Sequence, residues 1–124
     1  MTAQRTDISS DSPFEDQVGY SRAVRVGPMI AVAGTTCPGD GVAAQARGAL
    51  QIIGAALEGA GASLSDVVRT RMYVTDIGQW RELGAVHAEV FGDVRPVSTM
   101  VEVSALIAPD LLVEIEVDAY LAHN

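Results

Sequence analysis

Two helix-periodic stretches, each set between segments of alternating character, constrain this chain more than any other feature. In the first, Ala43, Ala46, Leu50, Ile53 and Leu57 recur at spacings of three and four, which lays one apolar stripe along a helix. Gln45, Arg47, Gln51 and Glu58 fall largely outside that stripe, and Gly59 and Gly61 supply a stop. The second opens at the capping pair Thr75-Asp76. Its buried face is expected from Ile77, Trp80, Leu83, Val90 and Phe91, with His87 packed in the stripe and Gly92 as the stop. Gly84 inside this helix costs about 1 kcal/mol relative to alanine, which predicts a close approach by some neighbour.

The flanking segments read as strands. Residues 20–26 and 29–33 are joined by Gly27-Pro28 and suit a hairpin. In residues 67–74, Val68, Thr70, Met72 and Val74 share one side, while Val67, Arg69, Arg71 and Tyr73 share the other. Residues 97–103 follow Pro96, and residues 111–121 follow the turn Pro109-Asp110, both with alternation. The order is β-β-α-β-α-β-β. It predicts an α+β fold with βαβ crossovers and parallel pairs inside a mixed sheet.

Two helices cover only one face of such a sheet. The other face carries Arg69, Arg71, Tyr73, Glu114 and Glu116 beside apolar groups, a mixture that suits contact between copies of the chain. Residues 1–17 are polar and read as a flexible N-terminal arm; residues 18–124 read as a single domain.

Composition closes off several functions. Eight basic residues against 16 acidic ones give a net charge of −8. Nucleic-acid binding needs clustered cations, so it is disfavoured. The same balance argues against an anionic membrane surface, and no apolar run reaches the roughly 20 residues of a membrane span. Cys37 is the single cysteine, and His87 and His123 are the only histidines. No disulfide and no metal centre is therefore expected, and a soluble cytoplasmic protein is the expectation.

The order of several short pieces resembles the RidA/YjgF family, also called L-PSP endoribonuclease-like proteins, over roughly residues 19–121. They are Gly19-Tyr20-Ser21, Ile30-Ala31-Val32-Ala33-Gly34-Thr35, Gln45 near a helix start, Val67-Val68-Arg69-Thr70 and Val74-Thr75-Asp76-Ile77. Pro96-Val97-Ser98-Thr99-Met100-Val101-Glu102-Val103 resembles the family's Pro-Ala-Arg-Ser-x-Val-x-Val signature, and Val113-Glu114-Ile115-Glu116-Val117 its closing strand.

This resemblance implies a chorismate-mutase-like fold and a homotrimeric barrel with small-molecule sites in clefts between subunits. It implies hydrolysis of reactive enamines or imines to carbonyl compounds and ammonia, without metal or cofactor. Glu114 would position or activate water. Tyr20 would line the pocket, with backbone groups at Gly34 and Thr35 beside it, and Cys37 follows on the next loop. The family's carboxylate-binding arginine is replaced here by Ser98, which supplies neither charge nor a two-pronged donor. Thr35 replaces a glutamine, and Gly84 an asparagine. Arg71 is a candidate replacement cation.

Each residue also has a plainer role. Glu114 suits a solvated or subunit-bridging carboxylate, Tyr20 a packed tyrosine and Arg71 an ion pair with Glu114 or Glu116. Ser98 suits a space-filler, and Cys37 a small hydrophobe. A non-catalytic ligand-binding or regulatory trimer is the alternative function, and an endoribonuclease a third, weighed against by the charge.

Overall fold

Six strands form one mixed sheet in the computed structural model, which describes residues 4–122. They are β1 (Arg5–Ile8), β2 (Ala23–Val26), β3 (Met29–Thr35), β4 (Val67–Val74), β5 (Val97–Glu102) and β6 (Val113–Tyr120). Their order across the sheet is β1-β2-β3-β6-β4-β5. Only β4 and β5 pair in parallel; the other neighbours are antiparallel. The α+β reading from sequence is therefore correct. The last strand of the chain inserts between β3 and β4, so β6 has two partners and becomes the axis of the sheet.

Helices α2 (Val42–Gly59) and α3 (Trp80–Phe91) are the two long ones, and α1 (Phe14–Val18) is a short turn of helix. The stripe of α2 packs on β3 and β6, and α3 packs on α2. Ala46, Leu50, Ile53 and Leu57 meet Ile30, Val32, Ile115 and Val117 in the core. Gln45 departs from its expected surface position. It is buried, donating to the Gly39 and Asp110 carbonyls and accepting from the Leu112 amide, so it ties the start of α2 to the entrance of β6.

The second helix corrects its expected face. Leu83, Val86 and Phe91 are buried, but Ile77 and Trp80 are exposed, with the Arg81 guanidinium 4.5 Å from the Trp80 ring centroid. The apolar stripe begins a turn later than composition suggested, after the single 3₁₀ turn Ile77–Gln79. A Cβ at Gly84 would meet nothing within 4 Å, so no neighbour in this chain explains that glycine.

The N-terminal reading also changes. Within the polar segment of residues 1–17, β1 pairs with β2 from Arg5↔Val26 to Ile8↔Ala23, and α1 follows it. The anchor is Glu15, a buried carboxylate that accepts from the Ser10 amide and hydroxyl and faces Arg22. Polar composition hides an edge strand because only one side of it meets the sheet.

Two irregularities reset which residues face the helices. Between Val67 and Arg69 the pairing with β6 shifts, so Val67 turns inward at 3% exposure and Val68 outward at 49%. This reverses the expected sides of the first two residues of β4. A second shift lies between Val32 and Thr35 on β3. It places Ala33 and Gly34 together in a bulge, and it matters for the site.

Candidate active site

The face of the sheet away from the helices carries a cleft of about 330 Å³ lined by Gly34, Tyr73, Leu106, Glu114 and Glu116, with Val103 and Ala105 at its wall. Alternation along β6 sends Val113, Ile115 and Val117 into the core and Glu114 and Glu116 into this cleft. The same pairing sets Tyr73 of β4 opposite Glu114.

Gly34 is required here by space. A Cβ at this position would overlap the Glu114 carboxylate, so the bulge on β3 lets that side chain lie against bare backbone. Among the described residues Glu114 makes no hydrogen bond. Burial pushes its carboxyl above the ordinary range; the adjacent Glu116 charge adds to this, and the Arg22 charge opposes it. Glu116 is differently placed. It accepts from the Tyr73 hydroxyl and lies 4.0 Å from Arg71. The hydrogen bond to Glu116, together with burial, raises the Tyr73 phenol. Two carboxylates on one strand thus differ in kind: one is held by donors, the other is left with its proton affinity raised.

Behind Gly34 sits a residue the sequence reading does not single out. Arg22 is 7% exposed. Its Nη1 donates to the Gly34 carbonyl and to Thr35 Oγ1, both at 2.9 Å, and its Nη2 donates to the Tyr20 hydroxyl at 3.3 Å. Its Nε lies 3.8 Å from Glu15, and its guanidinium stands 5.5 Å from the Tyr20 ring centroid. A planar fork suits four partners at fixed angles. The one available signal was a cation directly before an inward-facing strand residue, Ala23.

Arg22 therefore gathers three expected site residues, Tyr20, Gly34 and Thr35, of which Gly34 lines the cleft with Glu114. It also occupies them. The Gly34 carbonyl accepts from Arg22, and Thr35 is buried with its hydroxyl accepting from Arg22 and donating to the Ala33 carbonyl at 2.8 Å.

The remaining candidates lie elsewhere. Arg71 shares the face but turns to Asp118 at 3.4 Å and Glu116 at 4.0 Å, an ion-pair role. The Cys37 thiol packs against Gly48 of α2 and does not line this cleft within one chain. Ser98 pairs in register with inward-facing Thr70 and hydrogen-bonds to it. It therefore lies on the helix side of β5, the opposite face from Glu114 within one chain.

A larger groove of about 570 Å³ lies by β1 and the end of α2. Its charged lining residue, Arg25, is spent on the Gly27 and Ala60 carbonyls, which makes it a support for the helix end. No group of three or more potential metal ligands converges among the described residues, which exclude His123. No helix among them is long and apolar enough to cross a membrane.

Comparison with known proteins agrees with this architecture. The family model described as Endoribonuclease L-PSP matches residues 11–121. A RutC family protein of Pyrococcus abyssi is 38% identical over 110 residues, covering 82% of this chain and 85% of that protein. The crystal structure of Rv2704 from Mycobacterium tuberculosis, described as a member of the YjgF/YER057c/UK114 family, superposes with a TM-score of 0.94. It is 66% identical, over 95% of this chain and 100% of that one. PA3499 of Pseudomonas aeruginosa, described as of unknown function, gives a TM-score of 0.86 at 29% identity, over 98% and 96%.

Proposed function

Because this chain belongs to the Endoribonuclease L-PSP family, we propose that it is a homotrimer that hydrolyses a small reactive enamine, imine or related carbonyl compound in clefts between subunits. The observation that carries the reading is Glu114: a carboxylate on the uncovered sheet face, lying over Gly34, without a hydrogen-bond partner among the described residues and with its proton affinity raised. A base works best when its pKa lies near the working pH, and raising a carboxyl moves it that way.

Glu114 takes a proton from water as the oxygen bonds to the C=N carbon and returns it to the nitrogen, so the double bond becomes a C–N single bond and the carboxylate is restored. The resulting carbinolamine loses ammonia and leaves a carbonyl. Arg22 holds Tyr20 and the Gly34 carbonyl behind the cleft, and the bare backbone at Gly34 gives the Glu114 carboxylate its place in it.

Ammonia release from imines derived from 2-aminoacrylate tests this. Turnover lost in Glu114→Ala supports the reading; turnover unchanged in that variant refutes Glu114's role. Mass in solution tests the assembly, three times 13.0 kDa being expected and a monomer contradicting it.

A second reading, a ligand-binding or regulatory trimer without turnover, is favoured by two observations. Ser98 stands where the resemblance leads one to look for an arginine, and the Gly34 carbonyl and Thr35 hydroxyl are already occupied by Arg22. A small metabolite that raises the melting temperature without being consumed would select it. The family description also names ribonuclease activity, against which the net charge of −8 weighs.

A further inference from the structure

The sheet face away from the helices carries charges of both signs, and one of them is left over. Arg69 and Arg71 lie 3.8 and 3.4 Å from Asp118, and Arg71 is also 4.0 Å from Glu116. Glu116 has a further donor in the Tyr73 hydroxyl. On the edge strand Arg5 pairs with Asp7 at 2.8 Å, and Arg22 faces Glu15 behind the cleft. Among the described residues Glu114 is left with neither an ion pair nor a hydrogen bond.

This unmatched charge lies in a cavity and not on open surface. In the cleft of about 330 Å³, Val103, Ala105 and Leu106 supply an apolar wall, and no cation of the described residues lines it. Glu114 and Glu116 stand on the same side of β6, two residues and so about 6.7 Å apart along the strand. A carboxylate drawn part-way out of water without a counter-charge is costly. Glu116 also keeps acceptor capacity, because a carboxylate has about four acceptor positions and the Tyr73 hydroxyl takes one of them.

We propose that the cleft selects small organic cations that carry no carboxylate, a protonated planar C=N group among them, with Glu114 as counter-charge and Glu116 as second acceptor. An apolar substituent on such a cation packs against Leu106 and its neighbours. An anionic ligand meets two carboxylates there and is repelled. A protonated imine is also the form of C=N most open to attack by water, so the charge that binds it favours the reactive species. The inference rests on the cleft of the small-molecule reading but not on hydrolysis: it stands if turnover is absent.

The experiment uses the full chain and three planar probes of similar shape and different charge: benzamidinium, benzamide and benzoate. Calorimetric titration gives the affinities, and nitrogen-15 amide shifts give the place. Benzamidinium is expected to shift the amides of Gly34, Tyr73 and Leu106 and to bind at least about tenfold more tightly than benzamide, the factor for one charge-assisted hydrogen bond. Benzoate is expected to bind most weakly. Glu114→Gln should remove about tenfold of the benzamidinium affinity and leave benzamide nearly unchanged. A second measurement needs no variant. The groups facing Glu114 are Glu116, Tyr73 and Arg22. Benzamidinium needs the ionised Glu114 carboxylate, so its affinity should fall as pH is lowered through the Glu114 titration, while that of benzamide stays flat. Benzamide or benzoate binding as tightly as benzamidinium, shifts confined to other residues, or a benzamidinium affinity unmoved by Glu114→Gln or by pH overturns the proposal. Cation preference without ammonia release refutes hydrolysis and keeps the selectivity; ammonia release without cation preference does the reverse.

Discussion

Replacing Arg22 with methionine keeps most of the side-chain volume and removes the fork. The Gly34 carbonyl, Thr35 hydroxyl and Tyr20 hydroxyl each lose a donor, and Glu15 loses its facing cation while keeping Ser10. Hydrogen bonds to a charged group contribute about 1.5–3 kcal/mol each, but their losses do not simply add, and truncating a buried ionic group costs about 3–5 kcal/mol. A net loss near the lower figure, about 3 kcal/mol, is expected here. At about 4 °C per kcal/mol for a domain of this size, the melting temperature should fall by roughly 12 °C. Calorimetry at matched protomer concentration measures it. A second signal comes from Glu114, whose carboxyl Arg22 holds down. Without that charge it should titrate higher still. Arg22→Lys should recover part of the Glu114 effect and little of the stability, because it keeps charge without the fork. A variant melting within about 3 °C of the parent, with Glu114 unmoved, would refute the view that Arg22 organises the site.

The other predictions concern the carboxylate and the backbone beneath it. Gly34→Ala forces Glu114 off its present position, at a cost of about 1 kcal/mol for a side chain leaving its rotamer. Stability should change little while ammonia release falls at least about tenfold, the loss expected when a base leaves hydrogen-bond reach of its water. Glu114→Gln should raise the melting temperature by a few degrees at neutral pH. The sign follows from the raised carboxyl: the folded state holds the proton more tightly, so the ionised form carries a penalty that the amide lacks. The difference should shrink as pH falls through the Glu114 titration and vanish below about 4, the unfolded carboxyl's range. A constant difference at all pH values would contradict that cause.

Much of this was legible from periodicity. Ala46, Leu50, Ile53 and Leu57 announce α2, and the alternation of residues 113–120 places Glu114 and Glu116 on the face opposite the core. What alternation cannot show is where it breaks. Val67 and Val68 are equally apolar, so nothing local tells which one turns inward at the shift beside Arg69. The bulge at Gly34 is likewise set by β6, some 80 positions away in the chain. Gly34 was visible as a glycine, but its reason, the Glu114 carboxylate, is tertiary. Arg22 was invisible for the same reason: its partners are Glu15, Tyr20, Gly34 and Thr35, and only the fold collects them. Ser98 was legible as a substitution in a familiar pattern, while its connection to His87 through Thr70 required three elements in register.

In the proposed reaction Glu114 is the base, its proton affinity raised by burial in the cleft. Carbon-13 titration of the Glu114 carboxyl, assigned with Glu114→Gln, measures this directly, with the pH dependence of ammonia release followed on the same preparation. A midpoint above the ordinary glutamate value of about 4.3, coinciding with the pH at which turnover develops, is the expected result. A carboxyl that titrates at or below that value, or turnover that develops at a pH unrelated to it, would contradict the account.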